Sequence, residues 1–86
     1  MYEIEYSNKA RDFLKKLDRH IAERILNRIE RLKQEPVPSD AKFMGRENNE
    51  KIFRYRIGDY RALYKIKEQE RIVLITNVDK RPRVYD

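Results

Sequence analysis

Eighty-six residues suffice for one domain with a modest core, so any chemistry must rest on a few side chains rather than on a separate cofactor domain. The absence of cysteine and a solitary histidine, His20, exclude disulfides, thiolate nucleophiles, zinc knuckles and every histidine-based general base but one, while a net charge of +6 favours nucleic acid or an acidic protein as partner. No apolar run approaches the ~18 residues of a membrane span and no basic-then-apolar leader is present, so a cytoplasmic protein without a membrane partner is expected.

Tyr2-Glu3-Ile4-Glu5-Tyr6 alternates with period two and predicts a short, half-buried opening strand with Tyr2, Ile4 and Tyr6 on one face. Ser7 suits the cap of a helix in which Ala10, Phe13, Leu14 and Leu17 form one apolar stripe. Asp18 suits the cap of a second helix, whose stripe of Ile21, Ala22, Ile25, Leu26, Ile29 and Leu32 stays in phase until Glu35-Pro36 ends it. The two helices are expected to form a hairpin. His20 falls at its turn with no second ligand or carboxylate at a meaningful spacing, and is assigned no chemistry. Residues 36–50 carry Pro36, Pro38, Ser39, Asp40, Gly45 and Glu47-Asn48-Asn49-Glu50, and predict a connecting loop held down by Phe43 and Met44.

Two alternating runs, 52–57 and 60–66, flank Gly58-Asp59, and glycine at the first loop position suits a type II′ hairpin turn. That turn sets Ile57 opposite Tyr60, Arg56 opposite Arg61, Tyr55 opposite Ala62 and Arg54 opposite Leu63. One face is then Phe53, Tyr55, Ile57, Tyr60, Ala62 and Tyr64, which is a core face. The other is Ile52, Arg54, Arg56, Arg61, Leu63 and Lys65. Like charges directly opposed cost up to ~1 kcal/mol, a repulsion tolerable near solvent or beside an anion. Charge spacing alone fits a solvated face with acidic neighbours as well as it fits a polyanion site. The basic bias does lie in this half of the chain: residues 50–86 hold 10 Lys/Arg against 6 Asp/Glu, and residues 1–49 hold 11 against 9.

After the polar turn Lys67-Glu68-Gln69-Glu70, residues 71–78 form a nearly continuous apolar run rich in β-branched side chains, which predicts a central strand covered on both faces. The chain closes with Asp79-Lys80-Arg81-Pro82-Arg83-Val84-Tyr85-Asp86, where Pro82 forbids a regular strand interior. The expected fold is a single α+β domain over residues 1–86, β-α-α-β-β-β: an antiparallel sheet of about four strands with the N-terminal helical hairpin packed on one face.

This order of elements, the motif Arg54-Tyr55-Arg56-Ile57-Gly58-Asp59-Tyr60-Arg61-Ala62-Leu63-Tyr64 and the closing Lys80-Arg81-Pro82-Arg83-Val84-Tyr85 resemble the RelE/ParE superfamily of bacterial and archaeal toxins. The resemblance spans the chain and is closest to the RelE-like, mRNA-cleaving branch, because an arginine followed a few residues later by a tyrosine is not needed by the ParE gyrase poisons. It implies the toxin of a type II toxin-antitoxin system. Such a toxin enters the A site of a 70S-type ribosome, contacts its rRNA and cleaves mRNA without a metal or other cofactor. The 2′-hydroxyl attacks the adjacent phosphate and leaves a 2′,3′-cyclic phosphate. By resemblance, Arg54 orients the 2′-hydroxyl at a position often occupied by lysine, Arg61 stabilises charge on the phosphate, Arg81 assists the leaving oxygen and Tyr85 stacks on or orients the nucleotide. Arg56, Lys65, Lys80 and Arg83 are the accompanying RNA-binding residues, and an acidic RelB-like antitoxin, wrapped around the toxin in a hetero-oligomer, is the implied partner.

Elementary chemistry supports the guanidinium groups, because phosphoryl transfer gains most from cations positioned on developing negative charge with bidentate geometry. It does not supply a base, since arginine, with a pKa above ~12, stays protonated at any working pH. Tyr85, Lys65, Glu47 and Glu50 stay open as proton acceptors. Position 52, basic in some relatives, is Ile52, with Lys65 opposite it as a substitute charge, and Arg81 and Arg83 share strand parity with Tyr85. Two other readings stay open: a ParE-like, non-enzymatic gyrase inhibitor, and an inactive basic domain that binds RNA or the ribosome.

Overall fold

Ser7 starts the first helix and fastens it to the sheet with one hydroxyl. In the computed structural model, which describes residues 1–80, the Ser7 side chain accepts from the Ala10 N–H at 3.1 Å and donates to the Thr76 carbonyl at 2.8 Å. Helix α1 (Asn8–Lys15) follows this cap. Helix α2 (Arg19–Glu30) starts after Asp18, whose side chain makes no capping bond; the Asp18 carbonyl accepts from the Ile21 and Ala22 amides instead, each at 3.0 Å. A 3-10 turn (Arg31–Lys33) then buries Leu32. The predicted stripes face inward, with Ala10, Leu14, Ile25 and Ile29 buried. No helix among the described residues is long and apolar enough to cross a membrane.

The sheet has five strands: β1 (Glu3–Tyr6), β2 (Ala41–Glu47), β3 (Glu50–Ile57), β4 (Tyr60–Lys67) and β5 (Ile72–Lys80), in the order β1-β5-β4-β3-β2. The β3–β4 hairpin has the register that its turn predicts, Arg56 opposite Arg61 and Arg54 opposite Leu63, with Gly58 at φ +59°. Phe53, Tyr55, Ile57, Ala62, Tyr64 and Ile66 are accordingly buried on the face that the helices cover. Phe53 stacks on Tyr64 with ring centroids 5.6 Å apart, and Phe13 of α1 meets Tyr60 edge-on at 6.2 Å. Each such side chain contributes ~1.5–3 kcal/mol by leaving water.

Three features differ from the sequence expectation, each for a physical reason. The sheet is mixed and five-stranded, because β1 runs parallel to β5, with Glu3 beside Ile72 and Tyr6 beside Ile75. Within residues 36–50, a stretch expected to be loop, β2 pairs with β3 from Ala41–Tyr55 to Glu47–Glu50. An edge strand held by main-chain pairing needs no apolar alternation. Met44 bulges out between the Phe43–Phe53 and Gly45–Ile52 pairs, and Gly45 takes φ +143°. Phe43 meets Phe53 edge-on at 5.6 Å but is 51% exposed, and Met44 is 48% exposed, so main-chain pairing rather than a buried peg holds this segment. Finally, β5 is central in the sheet yet covered by helices on one face only. Val73, Ile75 and Val78 are buried, while Ile72, Leu74, Asn77 and Asp79 on the other face are partly exposed. A bulge at Thr76, between the Leu63–Asn77 and Tyr64–Ile75 pairs, shifts the parity so that Ile75 and Val78 share a face.

Candidate nucleic-acid interface

With the helices and core on one side, the other side of the sheet gathers the cations. Across the strands its rows read Lys42–Arg54–Leu63–Asn77, Arg56–Arg61–Asp79 and Ile52–Lys65–Leu74. Arg54, Arg56, Arg61 and Lys65 thus share one face, as the hairpin register requires.

Two carboxylates relieve the repulsion within these rows. The Arg61 Nε donates to Asp79 Oδ1 at 3.1 Å, and the Asn77 side-chain amide donates to Asp79 Oδ2 at 3.3 Å. Glu47 pairs with Lys65 from the edge strand. The hydrogen bond that Lys65 donates to Glu47 is the main cause that raises its pKa above the ordinary lysine value, against the opposing pull of burial. Lys65 therefore stays protonated at neutral pH and is ill suited to accept a proton.

Arg54 is half-buried, and its Nε is buried without a hydrogen-bond partner among the described residues. Beside it, at the β2–β3 edge, lies a groove of about 390 Å³ lined by Asp40, Lys42, Arg54 and Arg56. Asp40 is held by Arg28, whose Nη2 lies 3.4 Å from Oδ2. The same guanidinium sits 5.1 Å above the Tyr55 ring centroid and donates to the Tyr55 hydroxyl at 3.3 Å. The Tyr64 hydroxyl donates to the Pro36 carbonyl at 2.7 Å, so the segment that leads into β2 is fastened at both ends.

The remaining sequence-derived residues fall elsewhere. Lys80 pairs with Tyr60 and so has helix-side parity at the end of β5, away from the arginine face. His20 is exposed in the first turn of α2. Arg81, Arg83 and Tyr85 lie outside the described residues. Sequence reasoning missed Lys42, which comes opposite Arg54 only because residues 41–47 form a strand, and it missed Asp79 as the counter-ion of Arg61. No local periodicity marks either one.

On the helix side, Tyr6 and Leu14, Ala22 and Leu26 line an apolar groove of about 250 Å³ rimmed by Arg11 and Lys15. The Tyr6 hydroxyl is buried there without a hydrogen-bond partner among the described residues, and burial, with a smaller contribution from Glu30, pushes its pKa up to about 12.

Residues 4–85 match the family model described as ParE toxin of type II toxin-antitoxin system, parDE. The chain belongs to the RelE/ParE toxin superfamily. Solved structures agree with this toxin fold. The RelE in the archaeal RelE-RelB complex from Pyrococcus horikoshii OT3 superposes with a TM-score of 0.85 at 24% identity, covering 96% of this chain and 98% of that one. The toxin-antitoxin complex RelBE2 from Mycobacterium tuberculosis offers a relative 31% identical, with a TM-score of 0.77 and coverage of 93% and 98%. The isolated Escherichia coli RelE toxin matches at 0.78 with 19% identity, over 99% of this chain and 89% of that one, a likeness of fold alone. None of the curated proteins compared matches the toxin.

Proposed function

We propose that this toxin is a ribosome-dependent endoribonuclease that cuts mRNA in the ribosomal A site by attack of the 2′-hydroxyl on the adjacent phosphate, without a metal, and so stops translation in the cytoplasm. The observation that carries the reading is the convergence of Arg54, Arg56 and Arg61 on the sheet face opposite the helices. A single-stranded phosphate backbone laid there meets guanidinium groups able to stabilise charge on a pentacoordinate phosphate. Arg61 is the group for that charge and Arg54 the group that orients the 2′-hydroxyl. The chain continues from Lys80 into Arg81, two residues past the Asp79 that pairs with Arg61, and Arg81 and Tyr85 are assigned the leaving oxygen and the nucleotide. Arg56, Lys65 and Arg83 bind RNA around this centre, whereas Lys80, on the opposite parity, is not part of it. With Lys65 held protonated, Glu47, Glu50 and Tyr85 are the remaining proton acceptors.

The partner in the resting state is an acidic, RelB-like antitoxin. RelB accompanies the toxin in the archaeal and Escherichia coli relatives, and the apolar groove rimmed by Arg11 and Lys15 offers complementary charge to such a chain.

The test is primer extension on mRNA bound to programmed ribosomes. Cuts mapped to the A-site codon are expected with ribosomes and hardly any on naked RNA. Arg81→Ala should lower cutting by at least ~100-fold while circular dichroism stays unchanged, as expected for loss of a transition-state charge contact. A silent primer-extension lane with active ribosomes present sinks the proposal. The ParE description of the matching family model favours a second reading, non-enzymatic inhibition of gyrase, and a supercoiling assay on the same protein separates the two.

A further inference from the structure

We infer that the groove between Lys42, Arg54 and Arg56 is a second phosphate subsite, which holds a backbone phosphodiester of single-stranded RNA next to the one that Arg61 engages. The inference rests on the reading that the arginine face binds RNA and adds a site and a residue, Lys42, to it.

Three observations converge. First, the β2–β3 register sets Lys42 directly opposite Arg54, a like-charge pair that destabilises an isolated sheet and is relieved by an anion between its members. Second, the Arg54 Nε–H is withdrawn from water with no acceptor among the described residues. A buried, unpaired donor is a standing desolvation cost, which a turn of the guanidinium toward a phosphate oxygen in the groove removes. Third, among the described residues Lys42 and Arg54 share the groove with one carboxylate, Asp40, which is already held by Arg28 at 3.4 Å. The concavity of about 390 Å³ has room for a phosphodiester and part of its ribose.

Placement distinguishes this groove from the reaction centre. Lys42 on β2 and Arg61 on β4 stand two strand spacings apart, ~10 Å across the sheet, so a chain whose scissile phosphate meets Arg61 brings a neighbouring phosphate to the groove. Arg54, on β3, lies between the two and is placed to bridge them. The fork of a guanidinium suits such bridging, whereas Lys42 acts as a point charge at the rim.

The experiment uses the full-length toxin labelled with ¹⁵N and a short oligoribonucleotide carrying 2′-O-methyl groups, which cannot be cleaved, with inorganic phosphate as the minimal probe. The Arg54 Nε–H resonance is expected to shift with both probes. Lys42→Gln should weaken oligonucleotide binding ~3–10-fold at low salt and reduce the slope of log K against log salt by ~0.7, the loss of one contact to a single strand. Lys9→Gln, at an exposed position of α1, is the control and should change neither; equal melting temperatures check the fold of both variants. An Arg54 resonance that stays still at saturating oligonucleotide, or a Lys42→Gln slope equal to that of Lys9→Gln, overturns the subsite. So does a Lys42 effect on binding of an acidic partner protein with none on RNA. Cleavage on programmed ribosomes is measured in parallel: absent cutting with Lys42-dependent binding intact refutes only the nuclease reading, and cutting with Lys42-independent binding refutes only the subsite.

Discussion

Asp79 is a competitor built into the site. Its carboxylate accepts the Nε–H of Arg61, the cation assigned to the phosphate, so a phosphate reaching Arg61 must displace or share an internal anion. Asp79 is 42% exposed and Arg61 28%, and a pair this open contributes only ~0–1 kcal/mol to stability. Asp79→Asn is therefore expected to leave the melting temperature nearly unchanged while it tightens binding of a non-cleavable oligonucleotide several-fold at low salt, an effect that fades as salt screens the face. Fluorescence anisotropy at two salt concentrations checks this; unchanged affinity at low salt means that Asp79 does not compete.

Among the elements, α1 is both capped and hydrogen-bonded to the sheet by one side chain. The Ser7 hydroxyl satisfies the Ala10 amide and bonds the Thr76 carbonyl at the β5 bulge, so Ser7→Ala removes a cap and a tertiary hydrogen bond together. A loss of ~1–2 kcal/mol in urea unfolding is expected, at the upper end for caps. The β3–β4 hairpin was legible because a two-residue turn with glycine first fixes every cross-strand pair by local geometry, and alternation then separates core from cations. Strand β2 was not. Its exposed Lys42, Phe43 and Met44 carry no period-two pattern, and its partner is chosen by the open edge of β3. The Thr76 bulge was equally hidden within an apolar run, so the exposure of one face of β5 could not be foreseen.

The whole molecule is two-sided, with helices and core on one face of the sheet and cations on the other. Tyrosines on the covered side tie folding to alkaline pH. The Tyr6 hydroxyl has its pKa raised from 10.0 to about 12, and Tyr64 is raised further, chiefly by burial in both cases. Because the folded pKa is the higher one, the unfolded chain loses these protons first. The stability they contribute is whole below pH 10, and it falls as the pH climbs toward 12 and beyond. Tyr6→Phe should flatten the lower part of this alkaline decline without a cost at neutral pH, since its hydroxyl has no partner among the described residues. Tyr64→Phe should cost ~1 kcal/mol at neutral pH through the lost bond to Pro36. Urea unfolding across pH 7 to 12 reads both.

The amino-acid sequence by itself determined the helical stripes, the hairpin register and the alignment of Arg54, Arg56 and Arg61 on one face, because periodicity and turn geometry are local properties of the chain. Only the tertiary structure decided that Lys42 stands opposite Arg54, that Asp79 and Glu47 each hold one cation of that face, and that Lys80 points the other way. Those placements depend on pairing between distant strands and on two bulges. A shift of one residue moves a side chain to the opposite face, and no local pattern in the sequence records it.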